Sequence, residues 1–173
     1  MDVRRATNRR ARGLHAETFV PEGAPRIRGF DYQGAYRYSL TICAHERRRA
    51  LADRALFLGI LRQIRRAAVA NDFRVLAYCF MPDHLHLLIE GQAATADLRR
   101  FVKTWKQKTG FDYAKRTGGR LWQTGFYDHV LRSDESTARH VAYILANPVR
   151  AGLATTVGEY PFAGCEPFLG GDF

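Results

Sequence analysis

The chain has 173 residues, a length that suits one domain, and 46% of them are hydrophobic, enough for a substantial core. No apolar run approaches a membrane span, and the paired arginines near the N-terminus have no apolar segment behind them. Neither a transmembrane helix nor a secretory signal is expected, and the chain reads as soluble and cytoplasmic, with no membrane partner. The net charge is +10, which points to a polyanionic partner, nucleic acid first. The excess of arginine over lysine also fits a simple bias in genome composition.

Cys43, Cys79 and Cys165 are odd in number and far apart, with no CxxC pair. That argues against a disulfide framework or a cysteine zinc site and predicts reduced thiols in or near the core.

Residues 1–28 hold seven arginines and two prolines with little periodicity. They read as a basic flexible arm, either touching phosphates or simply solvated, ahead of a single domain over 29–173. "YRYSLTICAHER" (36–47) alternates Tyr36, Tyr38, Leu40 and Ile42 against polar or smaller residues, the period of a strand. A helix over about 54–70 follows, with Asp53 as N-cap and Phe57, Ile60, Leu61, Ile64 and Ala68 as its apolar stripe. "RVLAYCF" (74–80) and "HLHLLIE" (84–90) are two strands. Pro82 cannot donate to a ladder, so it belongs at the bend between them.

A second helix is expected over about 96–115, burying Leu98, Phe101, Val102 and Trp105. Arg99, Arg100, Lys103, Lys106 and Lys108 occupy the rest of its surface. "TGGR" (117–120) is a turn, and residues 121–132 contain a fourth extended region with a bend at Gly125. A last helix over about 134–147 is stopped by Pro148, and the tail reads as loop packed locally through Tyr160, Phe162 and Phe168. The order strand, helix, two strands, helix, strand, helix predicts an α+β fold, an antiparallel sheet covered by helices on one or both faces.

His84 and His86 stand out within an apolar strand. Residues two apart on a strand share a face, roughly 6.5–7 Å apart along the backbone. The two imidazoles therefore project together while Leu85 and Leu87 point into the core. Such a pair either converges on a metal ion or hydrogen-bonds across the sheet, and two ligands alone do not define a metal site. His140, Tyr143 and Asn147, at i, i+3 and i+7, form one stripe of the last helix. Tyr143 is a nucleophile or a surface packer, depending on whether that stripe faces the histidines.

"YCFMPDHLHLLIE" together with "HVAYILANPVRAGL" resembles the single-tyrosine HUH transposases, and in particular the REP-associated tyrosine transposases of bacteria. The His–hydrophobic–His element is His84-Leu85-His86. "YRYSLTICAHER" resembles the family's first strand, and "WQTGFYDHVLR" resembles its W-Q-x-x-F-x-E/D-H-x-I/V-R segment. The four blocks occur in the family's order over roughly residues 36–153.

The resemblance implies an antiparallel sheet flanked by helices, related to the ferredoxin and RNA-recognition folds. It implies metal-dependent cleavage and rejoining of single-stranded DNA, with Tyr143 attacking a backbone phosphate to leave a 5′-phosphotyrosine link and a free 3′-hydroxyl. His84 and His86 then hold the metal. In related transposases a polar residue one helical turn after the tyrosine completes the site, and Asn147 matches it. Its place before Pro148 disfavours helical geometry, so capping of the helix end is the alternative. Two histidines and an amide oxygen suit Mg²⁺ or Mn²⁺ better than a closed zinc site. Alternation points Asp83 away from the pair, which argues against direct ligation unless the strand begins at His84.

The resemblance puts His129 near the site or at the DNA surface, with a structural role as the alternative. His140 is expected to contact DNA, to tune Tyr143, or simply to lie at the surface. Arg99, Arg100, Lys103, Lys106 and Lys108 are candidates for phosphate neutralisation, or a solvated helix face. Trp105 reads as core. The implied substrate is single-stranded or hairpin DNA, and the state is monomer or homodimer, with Tyr143 acting in cis or in trans. A non-catalytic nucleic-acid-binding module of the same fold, and a replication-initiator nickase, are the alternatives in function.

Overall fold

The computed structural model describes residues 30–131 and 136–166. Among the described residues the strands and α-helices are, in chain order, β1 (Arg37–Cys43), α1 (Arg54–Ala70), β2 (Phe73–Met81), β3 (His84–Gly91), α2 (Leu98–Thr117), β4 (Tyr127–Val130), α3 (Thr137–Leu145), α4 (Asn147–Arg150) and β5 (Ala163–Cys165). The strands form one antiparallel sheet in the order β4-β1-β3-β2-β5. The expected α+β architecture is present, with helices on both faces.

The two faces follow from strand alternation. Tyr38, Leu40 and Ile42 of β1, Phe80 of β2, and Leu85, Leu87 and Ile89 of β3 are buried in one cluster with α1 and α2. From α1 it receives Phe57, Ile60, Leu61, Ile64 and Ala68, and from α2 Leu98, Phe101, Val102 and Trp105. Trp105 is core, as expected. On the opposite face Leu76, Ala77, Cys79, Met81 and Leu88 pack with Ile144 of α3 and with Leu131. A bulge between Val75 and Ala77 sends both Leu76 and Ala77 to the α3 side. It resets the alternation of β2 so that Cys79 and Met81 share a face with their partners His86 and His84.

Local chemistry sets the ends of the elements. The Asp53 carboxylate accepts from Leu56 N at 2.6 Å and caps α1. Asp97 accepts from Arg100 N at 3.0 Å and caps α2, which therefore runs two residues later than its apolar pattern suggests. Gly118, at φ 72°, closes α2 in the left-handed conformation that glycine adopts without strain. Pro82 and Asp83 form the turn between β2 and β3.

The fourth extended region holds the strand Tyr127–Val130 after the bend at Gly125, and Trp122 contributes an isolated bridge to Ala44. Three expectations need correction. The first strand ends at Cys43, and a 3₁₀ turn over His45–Arg47 replaces its predicted continuation. Pro148 does not stop the last helix. α3 ends at Leu145, and Pro148 lies within the first turn of α4, where its missing N–H costs nothing. The tail is not all loop, because Ala163–Cys165 adds an edge strand to β2. Cys43 and Cys79 are buried free thiols, whereas Cys165 is exposed. The basic arm and Phe168 lie outside the described residues.

Two glycines make opposite predictions. A Cβ at Gly91 would lie 2.2 Å from the backbone oxygen of Gly34, where the lead-in to β1 crosses the end of β3. A Cβ at Gly59, inside α1, would meet nothing within 4 Å. Gly91→Ala is expected to destabilise by about 1–3 kcal/mol through backbone displacement. Gly59→Ala is expected to stabilise by about 0.5–1 kcal/mol through helix propensity. Urea denaturation of both variants checks the pair of signs.

Candidate active site

The histidine pair occupies the sheet face opposite Leu85 and Leu87. The Nε2 atoms of His84 and His86 are 3.1 Å apart, and the rings are nearly perpendicular, at 86°. Each outer nitrogen is also held. His84 Nδ1 lies 2.7 Å from Asp83 Oδ1, and His86 Nδ1 lies 3.2 Å from Thr41 Oγ1. A carboxylate only accepts, so His84 carries a proton on Nδ1, and its Nε2 faces that of His86. Thr41 both donates and accepts, so its hydroxyl is compatible with either tautomer of His86.

This arrangement fits a shared cation. Two nitrogens each about 2.0–2.1 Å from one ion stand roughly 3 Å apart when they subtend near a right angle, and the observed separation matches. Carboxylate and hydroxyl partners behind ligating imidazoles orient the rings. Among the described residues no group of three or more His, Cys, Asp or Glu side chains is arranged to hold a metal ion. Further ligands must come from amide oxygen, water or substrate.

Asp83, set aside on alternation, sits in the turn, outside the alternation of β3, and buttresses His84. Its other oxygen accepts from Arg47 Nε at 2.8 Å. Burial alone would raise its pKa, but the bond from His84 and the charges of His84 and Arg47 outweigh burial and hold it below the usual carboxylate range. Burial is also the main reason that His86 is pushed down to about 3, with the charges of His84 and Arg150 adding to the shift. His86 is therefore neutral at physiological pH, the state a ligand requires.

α3 lies over this same face. Its Ile144 is buried beside Cys79 and Met81, the cross-strand partners of His86 and His84. Tyr143 is 48% exposed at the edge of the helix, so it is not a core residue. Arg150, one turn into α4, stacks on it: the guanidinium carbon is 4.2 Å from the ring centroid. Asn147 caps the end of α3, its Nδ2 donating to the backbone oxygens of Tyr143 and Ile144, each at 3.2 Å. Its Oδ1 accepts from Arg150 Nη2 at 2.8 Å. An amide oxygen has two lone pairs, so this bond leaves one for a further partner.

His129 and His140 come together from β4 and α3, their rings stacked at 6.0 Å and 12°. His129 pairs with Ser39, two residues from Thr41, so it shares the sheet face of His86. The basic residues of α2 are placed differently. α2 covers the other side of the sheet, and Arg99, Arg100 and Lys103 are exposed there. Arg99 also sits over the Tyr32 ring at 5.1 Å. Lys108 pairs with Asp112. Lys106 turns inward, bonding the carbonyls of Gln123 at 2.8 Å and Gly125 at 2.5 Å, and burial pushes it down to about 8.

Thr41, Arg47 and Arg150 escaped the reading of the sequence. Thr41 had a legible signal, since alternation in β1 puts it opposite the apolar positions. Arg47 and Arg150 reach the site from a turn and from a second helix, which no periodicity announces.

The fold and this constellation define a protein of the IS200-like transposases: the model of that family matches residues 33–147, and the chain belongs to the family. It is 29% identical over 94 residues to the REP-associated tyrosine transposase of Escherichia coli K12, covering 54% of each chain. It is 30% identical over 103 residues to a Haemophilus influenzae protein assigned to the same group, covering 53% of this chain and 58% of the relative. The match thus spans little more than half the length of these relatives. A REP-associated tyrosine transposase solved with a REP hairpin has the same fold, with a TM-score of 0.66 and 21% identity over 81% of this chain and 82% of that one. Among the described residues no helix is long and apolar enough to cross a membrane.

The state of His86 has a measurable consequence. Its folded pKa of about 3 lies below its ordinary value of 6.5. The unfolded chain therefore binds a proton that the folded chain refuses. Its contribution to stability is complete above 6.5 and is lost as pH falls from 6.5 towards 3. Metal-free wild-type protein is expected to take up about one more proton on unfolding near pH 5 than His86→Asn. Urea denaturation against pH checks this, and equal slopes would refute it.

Proposed function

We propose that this chain is a metal-dependent single-stranded DNA endonuclease and strand transferase that uses Tyr143 to form a 5′-phosphotyrosine intermediate on hairpin or palindromic repeat DNA. The observation that carries the reading is the convergence of the His84 and His86 Nε2 atoms, 3.1 Å apart, on the sheet face covered by the helix that bears Tyr143. Family membership supplies the reaction class. The REP hairpin bound by the similarly folded transposase suggests the form of the DNA. The charge of +10 favours a phosphate backbone as partner.

In this mechanism the Tyr143 hydroxyl attacks the scissile phosphorus in line. The Oη–P bond forms and the P–O3′ bond breaks. The phenol gives up its proton, and the departing 3′ oxygen acquires one. Attack of a different 3′-hydroxyl on the phosphotyrosine reverses these bonds and joins the strands. His84 and His86, with Asn147 as third ligand, would hold Mg²⁺ or Mn²⁺, which would supply Lewis-acid polarisation of the phosphate. Asp83 and Thr41 keep the two rings in their ligating orientation. Asn147 also ties the end of α3 to the start of α4, which fixes the backbone at Tyr143. His129 and His140 line the same face, where a displaced strand would pass, while the exposed cations of α2 neutralise backbone phosphates elsewhere on the duplex.

The decisive experiment incubates labelled hairpin oligonucleotides, taken from the DNA flanking the gene, with protein and Mn²⁺ or Mg²⁺. A denaturation-resistant protein–DNA adduct is expected, and Tyr143→Phe, His84→Ala or a chelator should abolish it. Tight binding without an adduct, unchanged by His84→Ala, would instead establish a non-catalytic binding module. Asp83→Asn is expected to weaken Mn²⁺ binding about 10–100-fold without unfolding the protein. Calorimetric titration with Mn²⁺ measures this, and unchanged affinity would remove Asp83 from the site.

A further inference from the structure

The Arg150 guanidinium is tied to Tyr143 and Asn147. It is exposed at the end of α4, yet it is held on three sides. Its carbon sits 4.2 Å from the Tyr143 ring centroid. Its Nη2 donates to Asn147 Oδ1 at 2.8 Å and to the Tyr143 carbonyl at 3.3 Å. Among the described residues no carboxylate pairs with it. Its positive charge is felt at His86 and at Cys79, both on the sheet face beneath α3 and α4. The cation thus stands between the tyrosine's helix and the histidines' strand, fixed by neutral groups and not neutralised by an acid.

A guanidinium has five N–H donors, and the bonds above use only the Nη2 group. Nε and Nη1 keep N–H donors that none of these bonds uses; they lie on different edges of the planar group, so each can give a single charge-assisted bond to an anion. A structural arginine would be expected to spend its charge on a carboxylate. This one is pre-positioned beside a phenol with its charge unspent, which is what an anion-binding residue requires.

We propose that Arg150 binds a non-bridging oxygen of the scissile phosphate and, by stacking on Tyr143, sets the nucleophile's ring in line with phosphorus. This rests on the reading of Tyr143 as nucleophile. Arg150 makes and breaks no bond. It stabilises the negative charge that grows on the phosphate oxygens as the Oη–P bond forms and the P–O3′ bond breaks.

The test compares single-turnover adduct formation by wild type, Arg150→Ala and Arg150→Lys on two hairpins. One hairpin carries the natural phosphodiester, and the other carries a neutral methylphosphonate at the cleavage site. On the phosphodiester Arg150→Ala is expected to be about 100-fold slower than wild type, as for loss of one charge-stabilising donor. Arg150→Lys should fall between them, since it keeps charge but not the planar stack. On the methylphosphonate the charge is gone, and the ratio of wild type to Arg150→Ala should collapse to within a few-fold. An unchanged ratio on both hairpins would overturn the proposal and leave Arg150 a structural residue. Circular dichroism and hairpin affinity show whether Arg150→Ala is folded; if it is not, the same comparison with Arg150→Lys decides. Failure of wild type itself to form an adduct would refute the proposed function, an outcome distinct from an active wild type indifferent to Arg150.

Discussion

Strict alternation along β3 is the constraint on which the site depends. Leu85, Leu87 and Ile89 are fully buried against α1 and α2. A slip of one residue would exchange these side chains with His84, His86 and Leu88, putting two imidazoles into the core at a cost of several kcal/mol in lost apolar burial. The core therefore holds His84 and His86 on the opposite face as firmly as it holds the strand itself. The bulge at Leu76 brings β2 into the same phase, so the histidines have Cys79 and Met81 as cross-strand neighbours and a level apolar floor for α3.

On that floor a polar chain runs from Arg47 through Asp83, His84 and His86 to Thr41. Each link constrains the next. Asp83 holds a proton of His84 on Nδ1 and orients its ring, while burial keeps His86 neutral. A second set of contacts joins Tyr143, Asn147 and Arg150 where α3 gives way to α4. Pro148 makes this junction. It cannot extend α3, but it starts a new helical turn that brings Arg150 back over the Tyr143 ring. The strand supplies a fixed pair of nitrogens, and the helix junction supplies a fixed phenol, amide and guanidinium.

The basic surface divides along the same lines. The exposed cations of α2 lie across the sheet from the histidines. Lys106 is committed to the fold: its ammonium closes the loop between α2 and β4 through two carbonyls. The cation stacked on Tyr143 comes instead from a four-residue helix.

By itself the sequence determined the first four strands and the first two helices, the apolar stripes and the shared face of His84 and His86. These follow from periods of 2 and 3.6 and from local caps such as Asp53, which act over a few residues. It also determined the family, because four spaced blocks of residues recur in order. Only the tertiary structure decided which groups meet across distance. Asp83 depends on the conformation of a turn, Arg47 on the 3₁₀ turn after β1, and Arg150 on the angle at Pro148; β5 depends on an edge left open by β2. The commitment of Lys106 to carbonyls depends on where the next loop passes. Such pairings arise from packing between segments far apart in the chain, and no local pattern of residues encodes them.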